Sequence, residues 1–241
     1  GTVGNAGTNS FQATFTPKNT NYLPITVSLS VKVEKKELTI NVTNNTFTYD
    51  GSAHTIAYTV TGMVNDDAAP SVTGNVSQVN AGTYNTTLVI DSNNYSGTID
   101  TQLVIKKAKV VAPTQFTATY GDTLGSITLP TSEYGTWSFV DETSTMVGNV
   151  GTHTFGIEFT SENNNYESYS TTVNVVVNKK TLTINIVKNT YIYDGLEHTI
   201  EYEIIGVVDG DNEPYVSGNI TLTNYVEGGQ STTLVINTAN Y

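Results

Sequence analysis

Histidine is the side chain best suited to acid–base chemistry near neutral pH, and this chain has three: His54, His153 and His198. His54 and His198 occupy the same position of an internal repeat, after a Tyr-Asp-Gly tripeptide. A general base or a metal ligand needs partner groups around it, and one histidine per repeat supplies none. We therefore expect local hydrogen bonds in turns or strands. No catalytic residue is predicted, and the chain is not expected to be an enzyme.

Two acidic loops at equivalent repeat positions, residues 65–67 and 209–213, offer oxygen ligands of the kind that calcium prefers. Neither loop has EF-hand spacing, and the first lacks the glycine and glutamate of the second. We expect solvated turns, each closed by a proline, and no other cofactor or metal. The calcium candidates are Asp209, Asp211 and Glu213.

The single tryptophan, Trp137, alternates with Phe139. An indole ring can stack on a sugar ring, which makes Trp137 the one candidate ligand contact. The same alternation is typical of a core strand, and we favour core packing opposite Tyr120. Lysine–asparagine isopeptide bonds are a further possibility, but they need buried lysines, whereas the lysine pairs here are expected to be exposed.

Composition excludes several classes of partner. The 241 residues include 10 basic residues, all lysine, against 22 acidic ones, which gives a net charge of −12. Nucleic acids and anionic membranes attract basic surfaces, so neither is expected as a partner. There is no cysteine for disulfides or thiolate metal sites. No apolar run is long enough to insert into a bilayer.

The dominant feature is an internal repeat. Tyr49 returns as Tyr193, an offset of 193 − 49 = 144, and lysine pairs at 35–36, 106–107 and 179–180 divide that offset into steps of 71 and 73. Two repeat types, A and B, therefore alternate. The predicted modules are 1–35 (the C-terminal half of an A module), 36–106 (B), 107–179 (A) and 180–241 (B without its last strand). These cut ends predict a fragment of a longer array, paired with neighbouring chain.

Apolar residues alternate with polar ones along most segments, as in Ile25–Val33 and Val173–Val177, and turn signals recur every 8–12 residues. This period predicts half-buried strands. The expected fold is all-β, a tandem array of small immunoglobulin-like β-sandwich modules of about 72 residues. A β-grasp-like module is the alternative, although it requires a helix that we cannot place.

Two recurring motifs mark the first three modules: Asn-x-Gly-Thr, and an Asn-Tyr about a dozen residues later; the last module shows Asn240-Tyr241. The segment 80–84 resembles the tyrosine corner of immunoglobulin-like domains. His153 and Asn9 replace Tyr84 at the equivalent positions, which predicts that the corner is not general. Because no Gly/Ser linker separates the modules, we expect the last strand of one module to continue into the first strand of the next.

The order of the motifs Lys-x-Leu-Thr-Ile, Thr-Tyr-Asp-Gly, His-Thr-Ile, Asn-Ala-Gly-Thr-Tyr and Leu-Val-Ile-Lys-Lys resembles the MBG and YDG repeats of large bacterial surface proteins. The B modules are similar to the YDG style at Tyr49-Asp50-Gly51, and the A module, at Tyr120-Gly121-Asp122, is similar to the MBG style. The resemblance implies an extracellular, cell-surface or wall-attached, adhesin-like protein without catalytic residues.

We therefore expect a structural segment of a repetitive bacterial surface protein, which acts as a rod-like stalk or fibre in adhesion or surface assembly. Its expected partners are the adjacent modules, other copies in a fibre, or a host or surface ligand. The alternative is that the modules bind glycan or protein directly, through Trp137 or a sheet edge.

Overall fold

The structure is a computed structural model that describes residues 4–64 and 67–241. Within these ranges the chain consists of β-strands and turns, with a single 3-10 turn at Leu124–Ser126 and no α-helix. The predicted all-β, sandwich-type fold class is confirmed, and the β-grasp alternative lacks the helix that it requires. A search of the same ranges finds no helix with the length and hydropathy of a membrane span.

The chain forms two compact units. One contains the residues up to Lys109 together with Asn164–Glu167, and the other contains Val110–Asn163 and Ser168–Tyr241. Each is described separately below. The module boundaries at residues 35, 106 and 179 remain a prediction, since the two units divide the chain at other residues.

The first unit begins with an antiparallel hairpin of two strands, β1 (Gly7–Phe15) and β2 (Ile25–Val33), which pairs Phe11 with Leu29. Alternating apolar residues lie on one face of this hairpin, and they remain exposed: Phe15 is 66% and Leu29 is 52% accessible. The expectation that neighbouring chain covers this face stays a prediction.

The first B repeat holds the best-formed core of the first unit. Its strands are β3 (Lys36–Glu37), β4 (Thr39–Asn44), β5 (Thr46–Thr48), β6 (His54–Thr55), β7 (Ala57–Thr61), β8 (Ser71–Thr73), β9 (Ser77–Gln78), β10 (Gly82–Asp91), β11 (Tyr95–Ser96) and β12 (Thr98–Lys106). A four-stranded sheet in the order β5-β12-β10-β8 packs with the antiparallel β4–β7 pair around one core. Between these layers lie the fully buried Leu88 and Leu103, with Leu38, Ile40 and Ile105 around them.

The A repeat in the second unit has one four-stranded sheet in the order β13-β16-β15-β14. Its strands are β13 (Gln115–Thr119), β14 (Gly135–Phe139), β15 (Gly151–Ser161) and β16 (Tyr169–Asn178). The first strand runs parallel to the last, as β5 does to β12 in the B repeat. This pairing lets the last strand bury Val173, Val175 and Val177, because alternate side chains of a strand point to one face.

The second B repeat forms six strands: β17 (Thr183–Lys188), β18 (His198–Thr199), β19 (Glu201–Ile205), β20 (Val216–Ser217), β21 (Thr221–Leu222) and β22 (Val235–Ile236). They pair only two by two, as β17–β19, β18–β21 and β20–β22. Val216, with 6% of its surface accessible, is the one buried residue of this repeat.

The prediction that strands run unbroken across the module boundaries is wrong. β2 ends at Val33, β12 at Lys106 and β16 at Asn178, and each following strand begins after a break. After each break, the chain pairs beside a following Asn-Tyr motif: the N–H groups of Lys36, Ala108 and Lys180 bond to the carbonyls of Asn94, Asn165 and Asn240.

Candidate functional site

The histidines of the B repeats hold the Tyr-Asp-Gly turns. His54 Nε2 lies 3.0 Å from Asp50 Oδ1, and its ring stacks on Phe47 with centroids 4.3 Å apart. His198 repeats the arrangement with Asp194 at 2.9 Å and Tyr191 at 4.2 Å. The backbone N–H of Ser52 and the His54 ring lower the pKa of Asp50.

The acidic loop of the second B repeat binds tyrosine hydroxyls. Tyr120 and Tyr241 both donate to the Asp211 carboxylate, Tyr120 at 2.8 Å from Oδ2. These two hydrogen bonds lower the pKa of Asp211. Asp209 and Glu213 lie exposed nearby. Among residues 4–64 and 67–241, no group of three or more His, Asp or Glu side chains could hold a metal ion. Calcium binding stays a prediction, and Asn65 and Asp66 lie outside the described residues.

Trp137 lies in the core of the A repeat, with 9% of its surface accessible. Its ring contacts Phe159 at 5.1 Å and Tyr169 at 5.7 Å between centroids. The side chain is therefore surrounded by other aromatic rings and does not present a face for stacking on a sugar.

The lysines at the module boundaries bond to main-chain carbonyl oxygens. Lys35 Nζ donates to Ser92 O at 2.7 Å, and Lys179 Nζ donates to Thr238 O and, at 2.9 Å, to Tyr241 O. These carbonyls belong to the loops that carry the Asn-Tyr motif. An isopeptide bond, which needs a side-chain carboxamide or carboxylate beside the amine, stays an untested possibility.

The arrangement that recurs most faithfully is a pair of hydrogen-bonded asparagines, in which one side chain makes two bonds to the segment of the other. Asn165 Oδ1 accepts the N–H of Ala81 at 2.7 Å, while Asn165 Nδ2 donates to Asn80 Oδ1 at 3.2 Å. The main-chain carbonyl of Asn165 accepts the N–H of Ala108 at 2.9 Å. A carboxamide carries both a donor and an acceptor, so one side chain can bond to a neighbouring backbone and side chain at once.

The same pair occurs twice more. Asn94 bonds to the N–H of Ala6 at 2.9 Å and to Asn5 Oδ1 at 3.1 Å. Asn240 bonds to the N–H of Val150 and to Asn149 Oδ1, both at 3.1 Å. We call each pair an asparagine clasp; the three clasps are Asn5/Asn94, Asn80/Asn165 and Asn149/Asn240. Each clasp links an Asn-x-Gly-Thr motif to the Asn-Tyr motif of the following repeat.

A further hydrogen bond fixes the first asparagine of every clasp. The hydroxyl of Tyr84 donates to Asn80 O at 2.9 Å, His153 Nε2 lies 2.6 Å from Asn149 O, and Asn9 Nδ2 donates to Asn5 O at 2.8 Å. The prediction that the corner is not general is therefore wrong. Three different side chains make the same bond, because each has a polar hydrogen at a similar reach from the backbone.

Edge-to-face tyrosine contacts lie beside two of the clasps. The rings of Tyr49 and Tyr166 are 5.6 Å apart at an interplanar angle of 75°, and those of Tyr120 and Tyr241 are 5.4 Å apart at 87°. This is the geometry that aromatic pairs favour. The clasp therefore combines directional hydrogen bonds with apolar contact, which suits a site that joins two segments of protein.

No family model and no curated protein matches the chain. Among solved structures it is similar to extracellular cadherin domains 1–4 of protocadherin gamma B7, at 10% identity and a TM-score of 0.21, over 84% of this chain and 72% of that one. The protocadherin gammaB7 EC3-6 cis-dimer structure matches at 10% identity and a TM-score of 0.22, over 89% and 67%. TM-scores this low do not establish a shared fold, and no function follows from them.

The sequence shows the two motifs that form the clasp, but it does not show which copy of one motif bonds to which copy of the other. The two motifs within a module are about a dozen residues apart, whereas the clasped asparagines are separated by 89, 85 and 91 residues. A signal was available, since the first asparagine recurs once per repeat together with the Asn of Asn-Tyr. The bonding partner of this asparagine is identified only by the structure, in which the Asn-Tyr motif of the following repeat lies beside it.

Proposed function

We propose that this chain is a non-catalytic structural segment of a repetitive extracellular bacterial surface protein, with its repeats joined by asparagine clasps. In this role it contributes to a stalk or fibre in adhesion or surface assembly. The observation that carries the proposal is the recurrence of one clasp, with the same atoms bonded, at all three places where an Asn-x-Gly-Thr motif meets a following Asn-Tyr.

A contact that recurs with each repeat suits a stalk or fibre, because such an array is stabilised by each repeat and by its contact with the next. Each neutral hydrogen bond contributes about 0.5–1.5 kcal/mol, so the two side-chain bonds of a clasp contribute about 1–3 kcal/mol. The tyrosine contacts add about 0.5–1.5 kcal/mol each. This is enough to favour one arrangement of the joined segments.

The resemblance to MBG and YDG repeats supports the extracellular bacterial location that we propose. The alternative, direct glycan binding by Trp137, has less support because that ring is buried against Phe159 and Tyr169. Other copies of the chain, or a host ligand at a distal part of the protein, remain the proposed partners.

The test is to stretch the chain with optical tweezers and record unfolding forces. Asn165→Ala and Asn240→Ala each remove the side chain that makes both clasp bonds, so we expect the force of the first unfolding event to fall. The matched control is Asn85→Ala, at an exposed position of β10, which should unfold as the unsubstituted chain does. Equal forces for all three variants would contradict a structural role for the clasps.

A further inference from the structure

The A repeat and the second B repeat, which belong to one compact unit, meet through a tight turn of each. In the A repeat, the N–H of Asp122 donates to Thr119 O at 2.9 Å, and Gly121 between them has φ of +92°. In the B repeat, the N–H of Asp211 donates to Val208 O at 3.0 Å. Each turn is therefore closed by a hydrogen bond within its own repeat.

The two turns approach most closely at a glycine. A Cβ at Gly121 would lie 2.6 Å from Val208 Cγ2, closer than side-chain carbons approach one another, so the valine methyl group takes the space that a side chain would need. Valine is stiff at χ1, and it cannot rotate away without leaving its preferred rotamer. The neighbouring repeat therefore requires a residue without a side chain at position 121.

Tyr120, immediately before this glycine, adds a polar contact to the same turn. Its hydroxyl donates to both carboxylate oxygens of Asp211, at 3.1 and 2.8 Å, and its ring meets that of Tyr241 edge to face. Tyr241 also donates to Asp211, and its hydroxyl oxygen accepts the N–H of Val208 at 3.0 Å. Hydrogen bonds to a charged group are stronger than neutral ones. The A repeat therefore contacts both the apolar and the charged end of a Val-x-x-Asp segment.

The first B repeat shows which of these bonds a B repeat makes on its own. Tyr95 donates to Asp67, and its hydroxyl oxygen accepts the N–H of Val64 at 3.1 Å. The N–H of Asp67 donates to Val64 O at 3.2 Å. All three bonds lie within the repeat. A B repeat therefore orients its valine and aspartate by itself, and the A repeat contributes Tyr120 and Gly121.

The two repeat types differ in sequence at the residues that make this contact. The residue after the tyrosine is Gly121 in the A repeat, whereas it is Asp50 and Asp194 in the two B repeats. The Val-x-x-Asp sequence occurs at residues 64–67 and 208–211 of the B repeats and nowhere in the A repeat. The exposed backbone therefore belongs to one repeat type, and the turn that packs on it belongs to the other.

We propose that the turn at Tyr120 and Gly121 is a recognition surface for the Val-x-x-Asp turn of a B repeat, so that an A repeat accepts a B repeat after it in preference to a second A repeat. The missing side chain at Gly121 admits Val208, and the Tyr120 hydroxyl pairs with the carboxylate that this turn supplies. The inference rests on the proposed role of the chain as an array of joined repeats, because the order of repeats matters only in such an array.

The first experiment fills the space at Gly121 in the complete chain. Gly121→Asn adds a side chain of a type that tolerates a left-handed backbone. We expect residual dipolar couplings from NMR to fit one alignment tensor for the A repeat and the second B repeat in the unsubstituted chain, and two tensors in Gly121→Asn. The matched control is Gly195→Asn, since Gly195 has φ of +81° with nothing within 4 Å of an added Cβ, and it should keep one tensor. One tensor for Gly121→Asn, or two for the control, would overturn the proposal.

The second experiment removes the recognised sequence from the B repeat. The double variant Val208→Ser/Asp211→Ser should also need two tensors, because it loses the methyl groups and the carboxylate that the A repeat contacts. The same change in the first B repeat, Val64→Ser/Asp67→Ser, is the control and should leave the couplings of the A repeat and the second B repeat on one tensor. A single tensor for Val208→Ser/Asp211→Ser would overturn the proposal.

The outcomes separate this inference from the proposed function, because Gly121 and Val208 lie outside the Asn149/Asn240 clasp. If Gly121→Asn keeps one tensor while Asn240→Ala lowers the unfolding force, the recognition surface is wrong and the structural role of the clasps stands. If Gly121→Asn gives two tensors while the clasp variants leave the force unchanged, the recognition surface stands and the structural role of the clasps is wrong.

Discussion

The two B repeats share most of their motifs and differ in how far their cores close. In the first, Leu88 is completely buried, and Ile40 and Ile56 are 4% and 2% accessible. Their counterparts in the second, Leu234, Ile184 and Ile200, are only half-buried. The first repeat has a four-stranded sheet, whereas the second has pairs of strands.

The local features are nearly unchanged between them. Asn75 bonds to both the N–H and the carbonyl of Ile56, at 3.1 and 2.9 Å, and Asn219 does the same to Ile200 at 3.2 and 3.0 Å. The register of β4 with β7 and its irregularity after Val42 recur in β17 with β19 after Ile186. The turns and the first strand pair of a B repeat therefore have the same local backbone structure in both copies.

The closed core of the first B repeat depends in addition on its last strand, β12. β12 pairs with β10 on one side and β5 on the other, and it contributes two fully buried side chains. In the first repeat, this strand therefore connects β5 to the rest of the four-stranded sheet and covers the core from that side.

The largest expected difference between the repeats concerns their equivalent core leucines. Leu88→Ala should destabilise the first B repeat by about 3–5 kcal/mol, because it leaves a cavity among fully buried neighbours. Leu234→Ala should cost less, about 1–2 kcal/mol, since its side chain is already partly in water. Urea-dependent hydrogen exchange, resolved by residue, measures both.

The control for this pair is Val89→Ala, which lies on the opposite face of β10 at 37% accessibility and should have a much smaller effect. If Leu88→Ala and Leu234→Ala were equally costly, the claimed difference in core closure would not exist.

A second pair of variants tests a close approach between a glycine and a backbone carbonyl that both B repeats share. Gly74 has φ of +84°, and a Cβ there would collide with the carbonyl oxygen of Thr87; Gly218, at +89°, faces Thr233 in the same way. We expect Gly74→Ala to cost about 3 kcal/mol, from backbone strain and the collision together.

Gly51→Ala is the matched control, because its φ of +81° is similar but nothing lies within 4 Å of the added Cβ. It should cost only about 1–2 kcal/mol, the strain of the left-handed backbone alone. Melting temperatures of the two variants measure the contrast. Equal losses would show that the close approach to Thr87 does not matter.

The sequence predicted what depends on neighbouring residues. Alternation located the long strands such as Ile25–Val33, and Asp50-Gly51 correctly indicated a turn, because these signals act over a few residues. The equivalence of Tyr84, His153 and Asn9 was missed, since a shared hydrogen bond to a backbone carbonyl does not require a shared residue type.

The pairing of the clasps and the break in the strands at the boundaries could not be predicted for a different reason. Both depend on a distant loop whose Asn-Tyr motif supplies the bonding partners, 85–91 residues away for the clasps and 57–60 residues away for the boundary bonds (94 − 36 = 58, 165 − 108 = 57, 240 − 180 = 60). Strand period says nothing about contacts at that separation. The burial of Trp137, by contrast, agrees with the core packing favoured from its alternation with Phe139. The expected neighbour was wrong, since Trp137 packs on Phe159 and Tyr169 while Tyr120 belongs to a separate cluster.

The smallest expected effect concerns pH, and here the two B repeats should behave alike. Hydrogen bonds from the Ser52 and Leu196 N–H groups, together with His54 and His198, lower the pKa of Asp50 and Asp194. A carboxylate with a lowered folded pKa stabilises the fold above its ordinary value near 3.8, and that contribution is lost as the pH falls through the lowered pKa. Carboxyl carbon NMR should therefore give both aspartates midpoints below those of an unstructured peptide. Because each turn spans only the five residues from the aspartate to the histidine, closure of the core should not matter. A normal pKa for Asp194 alone would contradict this local origin.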